Sequence, residues 1–184
     1  GYDAASHMDI ALYMSKVIHN DLTVAGVTSW SYWVSMDISR WNQKNRFLLI
    51  SLVPDGWSGD KENIDNLDKE GTFQDTPTLW TLGNYSLFIR PGYRRVSMQM
   101  AESRSFFGSA WISPEGDKVV AVYSNLSGKG VRLNESHQNW GREVATITTY
   151  TTSGDKKLNE LKLSADDTVI LDAKSVTTVV YSLK

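Results

Sequence analysis

The sequence predicts an antiparallel, all-β sandwich that follows a helix–strand–helix β/α unit. Three observations carry this. Residues 6–22 repeat apolar side chains at helical spacing, and residues 27–36, VTSWSYWVSM, form a β-branched and aromatic run that is apolar on both faces. Residues 79–96, LWTLGNYSLFIRPGYRRV, begin with helical character and change to a period of two after Tyr93. From there to Lys184, short strands alternate with Gly- and Asn-rich turns.

Each element has a local reason. Ile10, Ala11, Met14, Val17, Ile18 and Leu22 share one face of the first helix, with Asp9, Lys16 and Asn20 opposite. Ser6 followed three residues later by Asp9 has the form of a capping box, and Gly26 ends the segment. In the strand that follows, Trp30 and Tyr32 point one way and Ser31 and Trp33 the other. Residues 41–46 read as a polar connection, 47–52 (FLLISL) as a second apolar strand, and 53–75 as a long polar loop with solvated acids. Thr76 caps the next helix and Pro77 suits its first turn. Its side chains leave almost no polar face, so it is expected to be buried between two bodies. Arg90, Pro91 and Gly92 stop it. Strands are then expected over 107–112, 118–124, 131–133, 144–152, 168–171 and 176–183, with turns at 113–117, 127–130 and 153–155. Val96, Met98 and Met100 share one strand face.

Composition narrows the partners. Hydrophobic residues make up 41% of the 184, enough for a core. The formal charge of -2, from 19 basic and 21 acidic residues, argues against nucleic acid as a partner. Arg90, Arg94 and Arg95 form the one tight basic cluster, read as a junction with paired or solvated charges. No apolar run approaches the roughly 18 residues that span a bilayer, so no membrane partner is expected. Cysteine is absent, which excludes disulfides and thiolate chemistry. The opening GYDAASH has neither a start methionine nor a basic leader, and the chain is expected to be a piece of something longer.

The residues alone offer no catalytic set. His7, His19 and His137 are scattered and sit in no metal-ligand motif, so no metal and no cofactor are expected. His19, near a helix end, reads as a hydrogen-bonded structural residue. No phosphate loop and no GxSxG elbow is present. The 7 Trp and 8 Tyr are many for this length, and such rings make apolar platforms for sugars.

The segments MDIALYMSKVIHNDLTVAGVTSWSYWVSM, LWTLGNYSLFIRPGYRRV and LDAKSVTTVV resemble the C-terminal part of glycoside hydrolase family 30, with the flavour of its endo-β-1,6-galactanase-like members. FIRPGYRRV is the most specific, since it marks where that family leaves its barrel. The resemblance implies that residues 1–90 are the last elements of a (β/α)8 barrel and that 91–184 are its β-sandwich side domain. Residues 4–21 would follow barrel strand seven, 27–34 would be strand eight, and 77–89 the last barrel helix. Such enzymes are retaining hydrolases with two glutamates, an acid/base and a nucleophile. The resemblance puts both before Gly1, so this chain holds no catalytic residue and is expected to be inactive alone. Glu102, Glu115, Glu135, Glu143 and Glu160 fall in the sandwich and are not read as catalytic.

What carries over is Trp33, which matches a late strand-eight tryptophan that lines the sugar subsite; Trp30 and Tyr32 would pack on the outer helices. The implied partners are a polysaccharide or oligosaccharide and the missing N-terminal barrel part, and the implied location is extracellular or periplasmic. Uncovered, the barrel elements are expected to self-associate. Two alternatives stand beside this reading: a non-catalytic carbohydrate-binding module with its platform at Trp111 and Trp140, and a purely structural side domain.

Overall fold

The computed structural model describes residues 5–38, 47–56, 69–101, 103–138 and 140–184. The expected connection at 41–46, positions 57–68 of the expected loop, and Glu102 lie outside these described residues. Helix α1, His7–Asn20, starts as expected: the Ser6 hydroxyl accepts from the Asp9 amide at 3.1 Å, and the Asp9 carboxylate accepts from the Ser6 amide at 3.0 Å. Met8, Ile10, Ala11, Leu12, Met14, Ser15 and Ile18 form its buried side. A π-helical turn, Asp21–Ala25, follows and ends at Gly26, whose φ of 68° suits glycine.

The strand expected over 27–36 is corrected. The ladder starts only at β1, Met36–Ile38, which pairs in parallel with β2, Ile50–Pro54. Residues 27–29 are exposed throughout, and residues 30–35 keep the period-two alternation outside any strand: Trp30, Tyr32 and Val34 are half-buried, while Ser31, Trp33 and Ser35 are exposed. A β-ladder needs a neighbouring backbone; the first one met is at Ser35, whose carbonyl accepts from the Ile50 amide at 2.9 Å, and the ladder follows from Met36. The second strand also shifts, from the expected 47–52 to Ile50–Pro54. The expected loop contains a strand, β3, Gly71–Asp75, antiparallel to β2. Its residues are exposed apart from a half-buried Asp75, so no apolar alternation announced it. Glycine is required at 71, where a Cβ would lie 2.4 Å from the Val53 carbonyl oxygen.

Helix α2, Pro77–Ser86, begins at the expected cap. Thr76 Oγ1 accepts from the Leu79 amide at 3.4 Å and donates to the Leu48 carbonyl at 2.7 Å. The side it buries corrects the expectation. Thr78, Thr81, Asn84 and Tyr85 are the buried residues, and Leu87 just beyond the helix is 58% exposed. The cause is the surface it meets, which is a hydroxyl-bearing sheet face. Asn84 Nδ2 donates to the Tyr150 carbonyl at 2.9 Å and to Thr178 Oγ1 at 3.0 Å, and Thr178 Oγ1 donates to the Asn84 carbonyl at 2.6 Å.

The rest is antiparallel β-structure. In chain order the strands are β4 Arg94–Val96, β5 Phe106–Ile112, β6 Lys118–Asn125, β7 Val131–Arg132, β8 Val144–Thr152, β9 Asn159–Ser164, β10 Ile170–Leu171 and β11 Ser175–Leu183. Six of them form one sheet in the order β4-β5-β6-β11-β8-β9, and β7 pairs with β10 in a second. The edge strand β9 was not expected: five of its six residues are exposed and three are charged or amide-bearing. Both faces of the large sheet are buried. Ala121, Tyr123, Val179 and Tyr181 pack on one side with Leu133, Val169 and Leu171. Trp111, Val122 and Val176 pack on the other with Met8, Leu12, Met14 and Ile18 of α1 and Tyr85 of α2. A polar seam reinforces that second contact: Ser15 Oγ lies 2.5 Å from Ser124 Oγ and 2.9 Å from the Tyr85 hydroxyl. Burial pushes the Tyr85 phenol up to about 12, so it stays a neutral partner there.

Candidate functional site

Residues 30–35 turn one side toward the cluster of α1, α2 and the sheet and leave the other in solvent. On the covered side, Trp30 Nε1 donates to Asp21 Oδ2 at 2.9 Å, and its ring stacks on Tyr32 with centroids 6.0 Å apart. The Tyr32 hydroxyl donates to the Phe47 carbonyl at 2.6 Å, and burial raises its pKa. Both rings pack against the α1 cluster. These contacts fix the backbone just before residue 33. Trp33 itself projects away and is 88% exposed. An indole held this way offers a flat apolar face with a hydrogen-bonding edge, the chemistry that suits the C–H face of a pyranose.

The other sequence candidates fall elsewhere. His19 Nδ1 lies 3.4 Å from Ser109 Oγ and its ring sits 4.7 Å from that of Phe107, so it joins α1 to the sheet. Burial, aided by Arg95, lowers its pKa, which favours the neutral imidazole. Trp111 is 5% exposed within the seam between sheet and helices. Trp140 is half-buried, stacked on His137 with centroids 4.1 Å apart and set edge-on to Tyr181 at 5.2 Å. Trp111 therefore offers no free ring face, and one face of Trp140 is taken by His137.

The sequence reading missed a polar anchor around Glu135. Its carboxylate accepts from the hydroxyl of Tyr123 and, at 2.5 Å, from that of Tyr181, and His137 Nε2 lies 3.5 Å away. Burial raises both phenols, and the neighbouring carboxylate adds to it, so both hydroxyls keep their protons and donate. The group ties the segment after β7 to the sheet. Nothing local signals it, because its partners stand 12 and 46 residues from Glu135.

Glu115, Glu143 and Glu160 are surface groups. Glu143 pairs with Lys184 at 3.6 Å, Glu160 with Lys162 at 3.5 Å, and Glu115 is exposed in the β5–β6 turn. Among the described residues, no group of three or more His, Asp or Glu side chains could hold a metal ion. No helix among them is long and apolar enough to cross a membrane.

Known proteins share this fold. The family model of O-glycosyl hydrolase family 30 matches residues 1–47, the stretch that contains Trp33. A conserved exported protein from Bacteroides fragilis is 27% identical, with a TM-score of 0.77 over 96% of this chain and 35% of that one. A glycoside hydrolase family 30 endoxylanase from Clostridium papyrosolvens is 20% identical, with a TM-score of 0.66 over 96% of this chain and 39% of that one. The catalytic domain of the family 30 xylanase C from Talaromyces cellulolyticus is 19% identical, with a TM-score of 0.69 over 97% of this chain and 36% of that one. The chain therefore spans little more than a third of the length of these proteins. Its first 47 residues match glycoside hydrolase family 30, and the whole chain shares the fold of the C-terminal part of such enzymes.

Proposed function

We propose that this chain is the C-terminal part of a retaining β-glycanase of glycoside hydrolase family 30, in which Trp33 lines a sugar subsite. One observation carries the reading: Trp33 is 88% exposed on a segment whose other side is held by the π-helical turn after α1, within the residues that match the family. Residues 1–90 would complete a (β/α)8 barrel and 91–184 would be its side domain. The acid/base and nucleophile glutamates would come from the N-terminal barrel part, whose strands would also pair with residues 27–35. This chain alone would then hydrolyse nothing. Open backbone at 27–35 and exposed Trp33 and Met36 favour association with that barrel part or, without it, between copies. The substrate would be a β-1,6-galactan or a related polysaccharide met outside the cell or in the periplasm.

The test has two arms. Incubating the isolated chain with β-1,6-galactan and with xylan should release no reducing ends, whereas turnover by the pure chain would overturn the assignment of both glutamates elsewhere. Titrating the chain with oligosaccharides of each polymer should perturb Trp33, and Trp33→Ala should abolish that binding. Unchanged binding by the variant would remove Trp33 from the site.

A further inference from the structure

A cleft opens where both helices begin. One compartment, of about 350 Å3, lies between Asp75, Pro77 and Trp80 on one wall and Asp155 and Lys157 on the other. It runs into a second, of about 520 Å3, walled by Asp172 and Lys174 and sharing Ser153, Gly154 and Lys156 with the first. The β8–β9 turn thus faces the N-terminal ends of α1 and α2 across open space.

The charges in the cleft decide what it suits. Lys156 pairs with Asp172 at 2.5 Å, Lys157 with Asp75 at 2.8 Å, and Lys174 with Asp9 at 3.0 Å. An anion would have to compete with a carboxylate for each of these ammonium groups. Asp155 accepts from Ser153 Oγ at 2.6 Å, and among the described residues no three acids converge as a cation would need. A neutral ligand with many hydroxyls meets no such competition, because each hydroxyl can donate to a carboxylate and accept from an ammonium already in place. The indole of Trp80 supplies the apolar element. Its Nε1 donates to Asp75, whose other oxygen is held by Lys157, so the polar edge is satisfied and the ring orientation is fixed.

We infer that this cleft is a second carbohydrate-binding site, separate from Trp33, for a neutral oligosaccharide laid between Trp80 and the β8–β9 turn. That the ligand is a stretch of the polysaccharide substrate rests on the glycanase reading, while the site itself rests on the cleft. Helices of a β/α barrel start on the face that carries the active site. Under that reading the cleft opens on the catalytic face and holds the polymer away from the point of cleavage.

The experiment is an NMR titration of the 184-residue chain with xylohexaose, with a β-1,6-linked galactotetraose and, separately, with inorganic phosphate. The Trp80 indole N–H and the Gly154 amide should shift with at least one sugar and stay still with phosphate. Gly154→Leu should weaken the affinity read at Trp80 by about tenfold or more. A Cβ at 154 meets nothing within 4 Å, so the fold should survive, as the unchanged remainder of the spectrum would verify. Shifts at Trp33 alone would overturn the cleft while leaving the glycanase reading intact. Silence at Trp80 with both sugars, or an equal response to phosphate, would overturn it as well.

Discussion

Strand β6 and residues 27–36 are made of the same kinds of residue and have opposite surroundings. Both are rich in β-branched and aromatic side chains, KVVAVYSN against VTSWSYWVSM. Strand β6 has a ladder on each edge and a core on each face, and seven of its eight residues are buried. The other segment alternates in the same way, but is covered on one face and lacks a ladder until Met36. Residue type sets which way side chains turn, and a neighbouring backbone decides whether a strand forms. The alternation of residues 30–35 thus persists with one face covered, and Trp33 on the other face is 88% exposed.

This contrast can be broken experimentally, most severely at the seam between helices and sheet. Tyr85→Ala should cost about 3–5 kcal/mol, because it empties a buried site where α1, α2 and the sheet meet. Denaturant unfolding reads this, and a loss below about 1 kcal/mol would mean that the helices do not share the core of the sheet. Asn84→Ala should cost less, about 1–3 kcal/mol, by leaving the Tyr150 carbonyl without its amide donor and Thr178 without one of its two links to α2.

A smaller effect lies at the edge of the cleft. Lys174, with the Ser6 cap, lowers Asp9 from 3.8 to about 2. The depressed carboxylate stabilises the fold above its ordinary value, and that contribution fades as the pH falls from about 4 through about 2. With the carboxylate side chain 36% exposed, solvent screening keeps the effect below about 1 kcal/mol. Acid titrations of the protein and of Lys174→Met should therefore differ in this window, and identical curves would dismiss the pair. The smallest expected change sharpens the comparison from the other side. Trp33→Ala should alter stability by no more than about 0.5 kcal/mol, since an exposed ring supports no core. A larger loss would mean that the indole is packed.

What the sequence disclosed was local chemistry. The Ser6–Asp9 box, the Thr76–Pro77 start and the side-chain alternation of Trp30, Tyr32 and Trp33 depend on near neighbours, and all appear where expected. The turn at 113–117 belongs with them: Ser113 Oγ donates to Asp117 at 2.7 Å. Strands β3 and β9 are hard to read because most of their side chains lie in solvent: β3 has a single large apolar residue, Phe73, and the apolar face of β9 is only Leu161 and Leu163. The buried side of α2 was misread because apolar count was taken as a guide to burial. Asn84 is wholly buried because Thr178, 94 residues away, supplies its partner. Glu135 was passed over for the same reason, since only the folded sheet brings Tyr123 and Tyr181 to it. The cleft at the helix starts draws on four separate parts of the chain, and no spacing in the sequence announces it.

Amide hydrogen exchange of the isolated chain tests most directly whether residues 27–35 are an incomplete strand presenting Trp33. The account predicts rapid exchange there, beside a π-helical turn and an unlaced backbone, while β6 and β11 exchange only through global unfolding. Protection of 27–35 equal to that of β6 would contradict it, because the segment would then already have the neighbours that the account assigns to the rest of a barrel.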